Sequence, residues 1–203
     1  IGQWNYFAPT GGNLGGADVT AAWDLTLGSS SIDIAVIDIG YRPHIDLQPM
    51  LAGYDFISSV TIANDGDGRD ADASDPGDYV AAGDCGDGSP ARSSSWHGTH
   101  IIGTIAALMN NHLFGTGIAP NVRILPLRAL GRCGGYTSDI VDAMRWSVGI
   151  DIDGIAHNPA PARVINLSLG STGACSAAFQ SGINDVNARG AMVVVATGNG
   201  GSN

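Results

Sequence analysis

The chain has 203 residues, 44% of them hydrophobic, enough for one globular domain with a substantial core, which excludes a mainly disordered polypeptide. All nine basic residues are Arg and all nineteen acidic ones are Asp; without a single Glu, a His-Glu-x-x-His zinc helix with a glutamate base is excluded. The net charge of −10 argues against binding a phosphate backbone, which needs clustered basic residues, and favours cations.

In chain order, residues 17–25 show the three-to-four-residue apolar spacing of a helix. Residues 32–37, Ile-Asp-Ile-Ala-Val-Ile, form a β-branched run that ends at Asp38. A long Gly-, Asp- and Ser-rich insertion without periodicity fills 63–95, and loops of that length are functional, pinned or disordered. His97-Gly-Thr-His100 then opens a helix over 98–109. A strand follows at 123–127, then a helix over 137–147 with Thr137-Ser-Asp139 as its cap, a strand at 164–169, a helix over 176–188 and a strand at 192–196.

The strands are nearly continuous Val, Ile and Leu runs, the pattern of strands buried on both faces of a parallel sheet. Strand and helix alternate, which predicts an α/β fold with a doubly wound, mostly parallel sheet and helices on both faces. Sites of such folds gather at the carboxyl ends of the strands, where Asp38, Ser168 and Asn199 all fall. No repeat or linker argues for a second domain. No apolar run approaches a membrane span, and Ile1 starts without the segments of a signal peptide, so the chain is expected to be mature and soluble. Cys85, Cys133 and Cys175 lie in loop contexts without a C-x-x-C spacing, and their odd number leaves one thiol over.

Asp38, the eight-residue motif His97-Gly-Thr-His-Ile-Ile-Gly-Thr104 and the run Val193-Val-Val-Ala-Thr-Gly-Asn199 occur in the order acid, histidine, oxyanion donor. On these three motifs the chain resembles the N-terminal part of a secreted bacterial subtilisin-like serine protease, and residues 1–203 are taken as the N-terminal portion of one such peptidase domain. The absence of Glu also excludes the glutamate-based relatives of that fold. The resemblance implies that Asp38 and His97 are the acid and histidine of the triad and that Asn199 lines the oxyanion hole. One departure is Ile39, which stands where the family usually has a Thr or Ser hydroxyl beside the aspartate. Gly98 and Gly103 are expected to permit close packing beneath His97. His100 is expected to point into helix packing, and His44, His112 and His157 to lie in loops.

No Gly-Thr-Ser or Gly-x-Ser-x-Gly follows Asn199, so the nucleophile is expected on a C-terminal fragment of the same precursor, and this piece alone is expected to be inactive. The family also implies a signal peptide and a folding propeptide already removed from a secreted zymogen. The alternatives are a catalytically dead subtilisin-like binding module and a separate calcium-stabilised adhesive domain. Carried over from the family, Gly134 and Gly135 would border an extended peptide substrate, and Ser168, Leu169 and Gly170 would line the pocket for the residue before the cut.

Asp65, Asp67, Asp70, Asp72 and Asp75 place five carboxylates within eleven residues, a donor set suited to Ca²⁺; the alternative is a solvated acidic loop. A second calcium site is implied by the resemblance alone, with Gln3, Asp46, Asn111 and carbonyls of the 109–115 loop. The fold it implies puts Cys85 and Cys133 on one rim and so pairs them, leaving Cys175 for a cysteine beyond Asn203 or as a buried free thiol.

Overall fold

The computed structural model describes residues 3–12, 14–171, 173–174 and 176–201. Five parallel strands, β1 (Asp33–Asp38), β2 (Tyr54–Asp55), β3 (Arg123–Arg128), β4 (Val164–Leu167) and β5 (Met192–Val195), form one sheet in the order β2-β3-β1-β4-β5. The helices are α1 (Val19–Trp23), α2 (Val60–Ala63), α3 (His97–Ala106), α4 (Thr137–Ser147) and α5 (Ala177–Ala188). The expected α/β class and the parallel sheet with helices on both faces are therefore present.

The period-two alternation of the central strands divides the core. Ala35, Ile37, Leu125, Leu127, Ile165 and Leu167 pack with Ile140, Met144, Trp146 and Val186 of α4 and α5 on one face. Val36 and Ile124 pack with Ile102 and Ala106 of α3 on the other. Successive side chains of a strand point to opposite faces, so the apolar runs of β1 and β3 serve both layers at once.

Several expected boundaries move. Helix α3 stops at Ala106 rather than 109. Strand β4 ends at Leu167, whose carbonyl accepts the last ladder bond from Ala196 N–H at 3.0 Å. Strand β5 is the edge of the described sheet rather than a strand covered on both faces, and Met192, Val194 and Val195 are exposed there. The expected cap at 137–139 is also replaced. Tyr136 is the capping residue and makes no side-chain cap. Asp139 instead points inward, fully buried, and accepts from Ser58 N–H at 2.9 Å, Ser58 Oγ at 3.0 Å and Arg69 at 2.7 Å.

The 63–95 insertion is pinned rather than free. Backbone bridges join Asp55 to Asp70, Tyr41 to Ser74 and Val80 to Arg92. The disulfide Cys85–Cys133 closes it against the segment after β3, as the resemblance implied. Arg132 adds a link from the same segment, to Asp84 and to the Tyr79 carbonyl at 3.1 Å.

Asp139→Ala strips Ser58 and Arg69 of a buried acceptor, and unsatisfied buried donors cost about 1–3 kcal/mol. Asp142, at 2.8 Å from the same Arg69 but partly exposed, belongs to the weak surface class of about 0–1 kcal/mol. Urea unfolding is expected to show a large loss for Asp139→Ala and a small one for Asp142→Ala. Equal losses would show that the buried acceptor does not organise this corner.

Candidate active site

Strand β1 lies in the middle of the sheet, flanked by β3 and β4, and its last residue is Asp38. The side chain is 1% exposed. Burial pushes the carboxyl up from its usual range, while the hydrogen bond from His97 and the backbone N–H of Ile39 draw it back down. His97 Nδ1 stands 2.9 Å from both carboxylate oxygens, and Ile39 N–H donates to Oδ1 at 2.8 Å. The position that lacks the family's hydroxyl thus still serves the aspartate through its main chain.

His97 opens α3, with its side chain 45% exposed. The helix reaches the strand end because Gly98 sits on the 38–40 backbone. A Cβ at that position would stand 2.1 Å from the Gly40 carbonyl oxygen and 3.3 Å from the Asp38 Cβ. Gly103 differs from the expectation, since a Cβ there would meet nothing within 4 Å. His100 also differs. It is exposed on the far side of the helix turn, where it lines a cavity of about 780 Å³ with Gln3, Asp46, Thr104 and Phe114. The period of a helix resting on the sheet by its Gly98 and Ile102 side carries residue 100 outward. His44, His112 and His157 lie outside helices and strands, as expected.

The expected substrate segments lie beyond the ends of the two strands that flank Asp38. After β3, Gly131 and Gly134 exchange backbone hydrogen bonds of 2.8 and 3.2 Å in a tight turn, with Cys133 at φ 66° and Gly134 at φ 107°. Gly135 passes close to the chain before it, where a Cβ would fall 2.2 Å from the Ala129 oxygen. After β4, Ser168 Oγ accepts from Asn166 Nδ2 at 2.9 Å, Leu169 packs against the core and Gly170 is exposed. Asn199 is exposed beyond the end of β5. Cys175 lies outside the described residues.

The acidic loop does not gather its carboxylates. Asp65 pairs with Arg128, and its other oxygen accepts from Asp67 N–H at 3.3 Å. Asp70 accepts from Asp72 N–H at 2.8 Å, Asp72 from Ser74 N–H at 2.9 Å and Asp75 from Gly77 N–H at 2.7 Å. Among the described residues no group of three or more His, Cys, Asp or Glu side chains is arranged to hold a metal ion. The residues of the second expected set lie in two pairings, Asp46 with Asn111 and Gln3 with Thr116. Asn111 Nδ2 donates to the buried Asp46 at 2.6 Å, and Gln3 exchanges hydrogen bonds of 2.8 and 3.1 Å with the backbone of Thr116. Arg128 did not stand out in the sequence, and Asp139 stood out only as part of a helix cap. The one signal for Arg128 was a charge ending the apolar run Ile124-Leu-Pro-Leu-Arg128.

Comparison with known proteins agrees with this geometry. Residues 29–203 match the model of the subtilase family, Peptidase S8. The chain is 50% identical over 202 residues to an extracellular protease of Xanthomonas campestris, covering 99% of this chain and 34% of that protein. It is 45% identical to an extracellular basic protease of Dichelobacter nodosus, covering 97% of this chain and 33% of that one. A solved protease structure from Pseudoalteromonas arctica superposes with a TM-score of 0.91 at 49% identity, covering 97% of this chain and 57% of the other. The chain thus spans about a third of the length of the first two relatives. With the buried acid, the helix-opening histidine and the parallel sheet in place, the chain belongs to the subtilase family.

Proposed function

We propose that the chain supplies the acid, the histidine and the oxyanion asparagine of a secreted serine endopeptidase, and that the nucleophilic serine comes from a C-terminal fragment of the same precursor. The observation that carries this is the Nδ1 contact of His97 with buried Asp38, which leaves Nε2 on a half-exposed ring. In this arrangement Asp38 fixes the tautomer, Nε2 takes the proton from the serine as it attacks the scissile carbonyl, and Asp38 stabilises the imidazolium that results. The same proton then goes to the leaving amine. The Asn199 amide would donate to the developing oxyanion, and an extended peptide would lie between 134–135 and 168–170, which border Asp38 on its two sides. Secretion is supported by the disulfide, which persists in oxidising compartments, and by the extracellular proteases to which the chain is similar.

Chain 1–203 purified free of other peptides is expected not to turn over a chromogenic peptide, and to become active when joined with its serine-bearing remainder. In that active form His97→Ala should cost about 10⁶ in kcat and Asn199→Ala about 10²–10³, the losses known for subtilisin itself. Turnover by the isolated chain that His97→Ala abolishes would overturn the two-piece reading, and an inactive joined protein would favour a binding module.

Calcium is proposed at Gln3, Asp46 and Asn111, the set the resemblance implies; Asp46 is buried with Asn111 against it, and the ion would draw its hard oxygen donors from these side chains, their amides turned oxygen-first, and from the 109–115 carbonyls. The ion would tie the N-terminal segment to two loops and take no part in bond cleavage. At about 100 times its Kd a ligand bound only to the native state adds about 2.7 kcal/mol. Excess chelator at fixed ionic strength is therefore expected to lower Tm, and Asp46→Asn to remove that response. An unchanged Tm would sink the assignment.

Cys175 is proposed to pair with a cysteine of the remainder, because Cys85 and Cys133 are joined to each other. Mass spectrometry without reductant should find a covalent, reducible complex through Cys175. Its alkylation without reductant would refute the tether.

A further inference from the structure

Arg128 is the last residue of β3, stands in register with Asp38 across the β1–β3 ladder, and is 1% exposed. Its guanidinium pairs with Asp55 at the end of β2 and with Asp65 in the acidic loop, and donates to the carbonyl of Ala63, the last residue of α2. One planar cation therefore meets acceptors from three consecutive pieces of chain. An ammonium group lacks the fork needed to do so.

We propose that the guanidinium of Arg128 is the resident cation of the acidic loop, binding Asp65 and the end of α2 to Asp55 where the sequence led us to expect a divalent ion, and that it anchors this loop to the strand pair carrying Asp38.

The surrounding contacts follow from that role. Asp55 exchanges backbone hydrogen bonds of 2.9 and 3.2 Å with Asp70, so the carboxylate neutralised by Arg128 sits on the chain that carries the loop's first bridge. Burial lifts the Asp55 carboxyl to about 7, while the Arg128 charge and the Ile57 N–H draw it back down, so the guanidinium favours the ionised form of this acid. The Ser74 hydrogen bonds, aided by the Arg128 charge, hold the Asp72 carboxyl below its usual range, whereas burial holds Asp75 above it although the Gly77 N–H and the Arg128 charge oppose the shift. At Ala73 and Asp75 the loop returns to the segment that follows β1, with Asp75 N–H donating to the Tyr41 carbonyl at 2.9 Å and Tyr41 N–H to the Ala73 carbonyl at 3.2 Å. Arg128 and Asp75 both pack on Gly40, the residue whose carbonyl also supports Gly98. The oxygens of Asp70, Asp72 and Asp75 that accept backbone N–H groups are turned into the loop itself, away from a shared centre.

The inference does not rest on the peptidase reading and is tested without activity. Limited proteolysis between residues 63 and 78 and calcium stoichiometry by calorimetric titration are compared for the wild type, Arg128→Gln and Asp65→Asn. Chelator is expected to leave the wild-type loop as resistant as before. Arg128→Gln is expected to raise cleavage there severalfold. Asp65→Asn spares the core side of the network and covers the case of an unfolded Arg128 variant; it is expected to raise loop cleavage to the same extent with and without Ca²⁺, and to leave the number of bound ions unchanged. A wild-type loop that becomes cleavable on chelation, or loss of one bound Ca²⁺ in Asp65→Asn, would overturn the proposal.

Discussion

The contact between Asp38 and His97 depends on the missing side chain of residue 98. With its would-be Cβ 2.1 Å from the Gly40 oxygen, Gly98 lets α3 rest directly on the turn that leaves β1, and only that approach brings the His97 ring to 2.9 Å from Asp38. Any larger residue would lift the helix from the sheet and open the contact. The acid needs the contact, because it sits in the middle strand with core on both faces and among the described residues has His97 and the Ile39 N–H to compensate the water it lost. Packing and chemistry are here a single constraint.

The parallel sheet does the collecting. Because all strands of the described sheet run the same way, the segments after β3, β1 and β4 emerge on one side, and the order β3-β1-β4 sets the 131–135 and 168–170 segments on either side of Asp38. Loops alone position poorly. The 131–135 turn is therefore braced by its own Gly131–Gly134 pairing, by the Arg132 N–H donating to the Ile62 carbonyl at 2.9 Å, by the Arg132 side chain on Asp84 and the Tyr79 carbonyl, and by the disulfide to Cys85. The insertion thus acts as a buttress for the 131–135 turn, and its near end lies against Arg128 through Asp65.

Much of this was legible in the residues. The β-branched run before Asp38, the His97 motif and the Val-rich run before Asn199 identify three strand or helix ends in the right order, since burial on both faces of a parallel strand leaves a continuous apolar signature. Helix 137–147 was legible to the residue. What escaped was short or governed by tertiary contact. Strand β2 has two residues and α2 four, too few for any periodicity to show. Asp139 looks like a cap by position but serves a buried corner, and Asp65 looks like a metal ligand but faces an arginine 63 residues away in sequence. Spacing along the chain cannot reveal a partner brought in by the fold. Gly103 and His100 erred for a related reason, because the motif says which residues recur and not which side of α3 meets the sheet.

The central claim is that Asp38 holds His97 by Nδ1 with Nε2 left free, and the tautomer state tests it most directly. A long-range ¹H–¹⁵N NMR spectrum of the imidazoles, at a pH where the ring is neutral, is expected to show the His97 proton on Nδ1, hydrogen-bonded and shifted far downfield, and to lose that resonance in Asp38→Asn. A His97 ring protonated on Nε2 in the unmodified protein, or a downfield resonance that survives Asp38→Asn, would contradict the account.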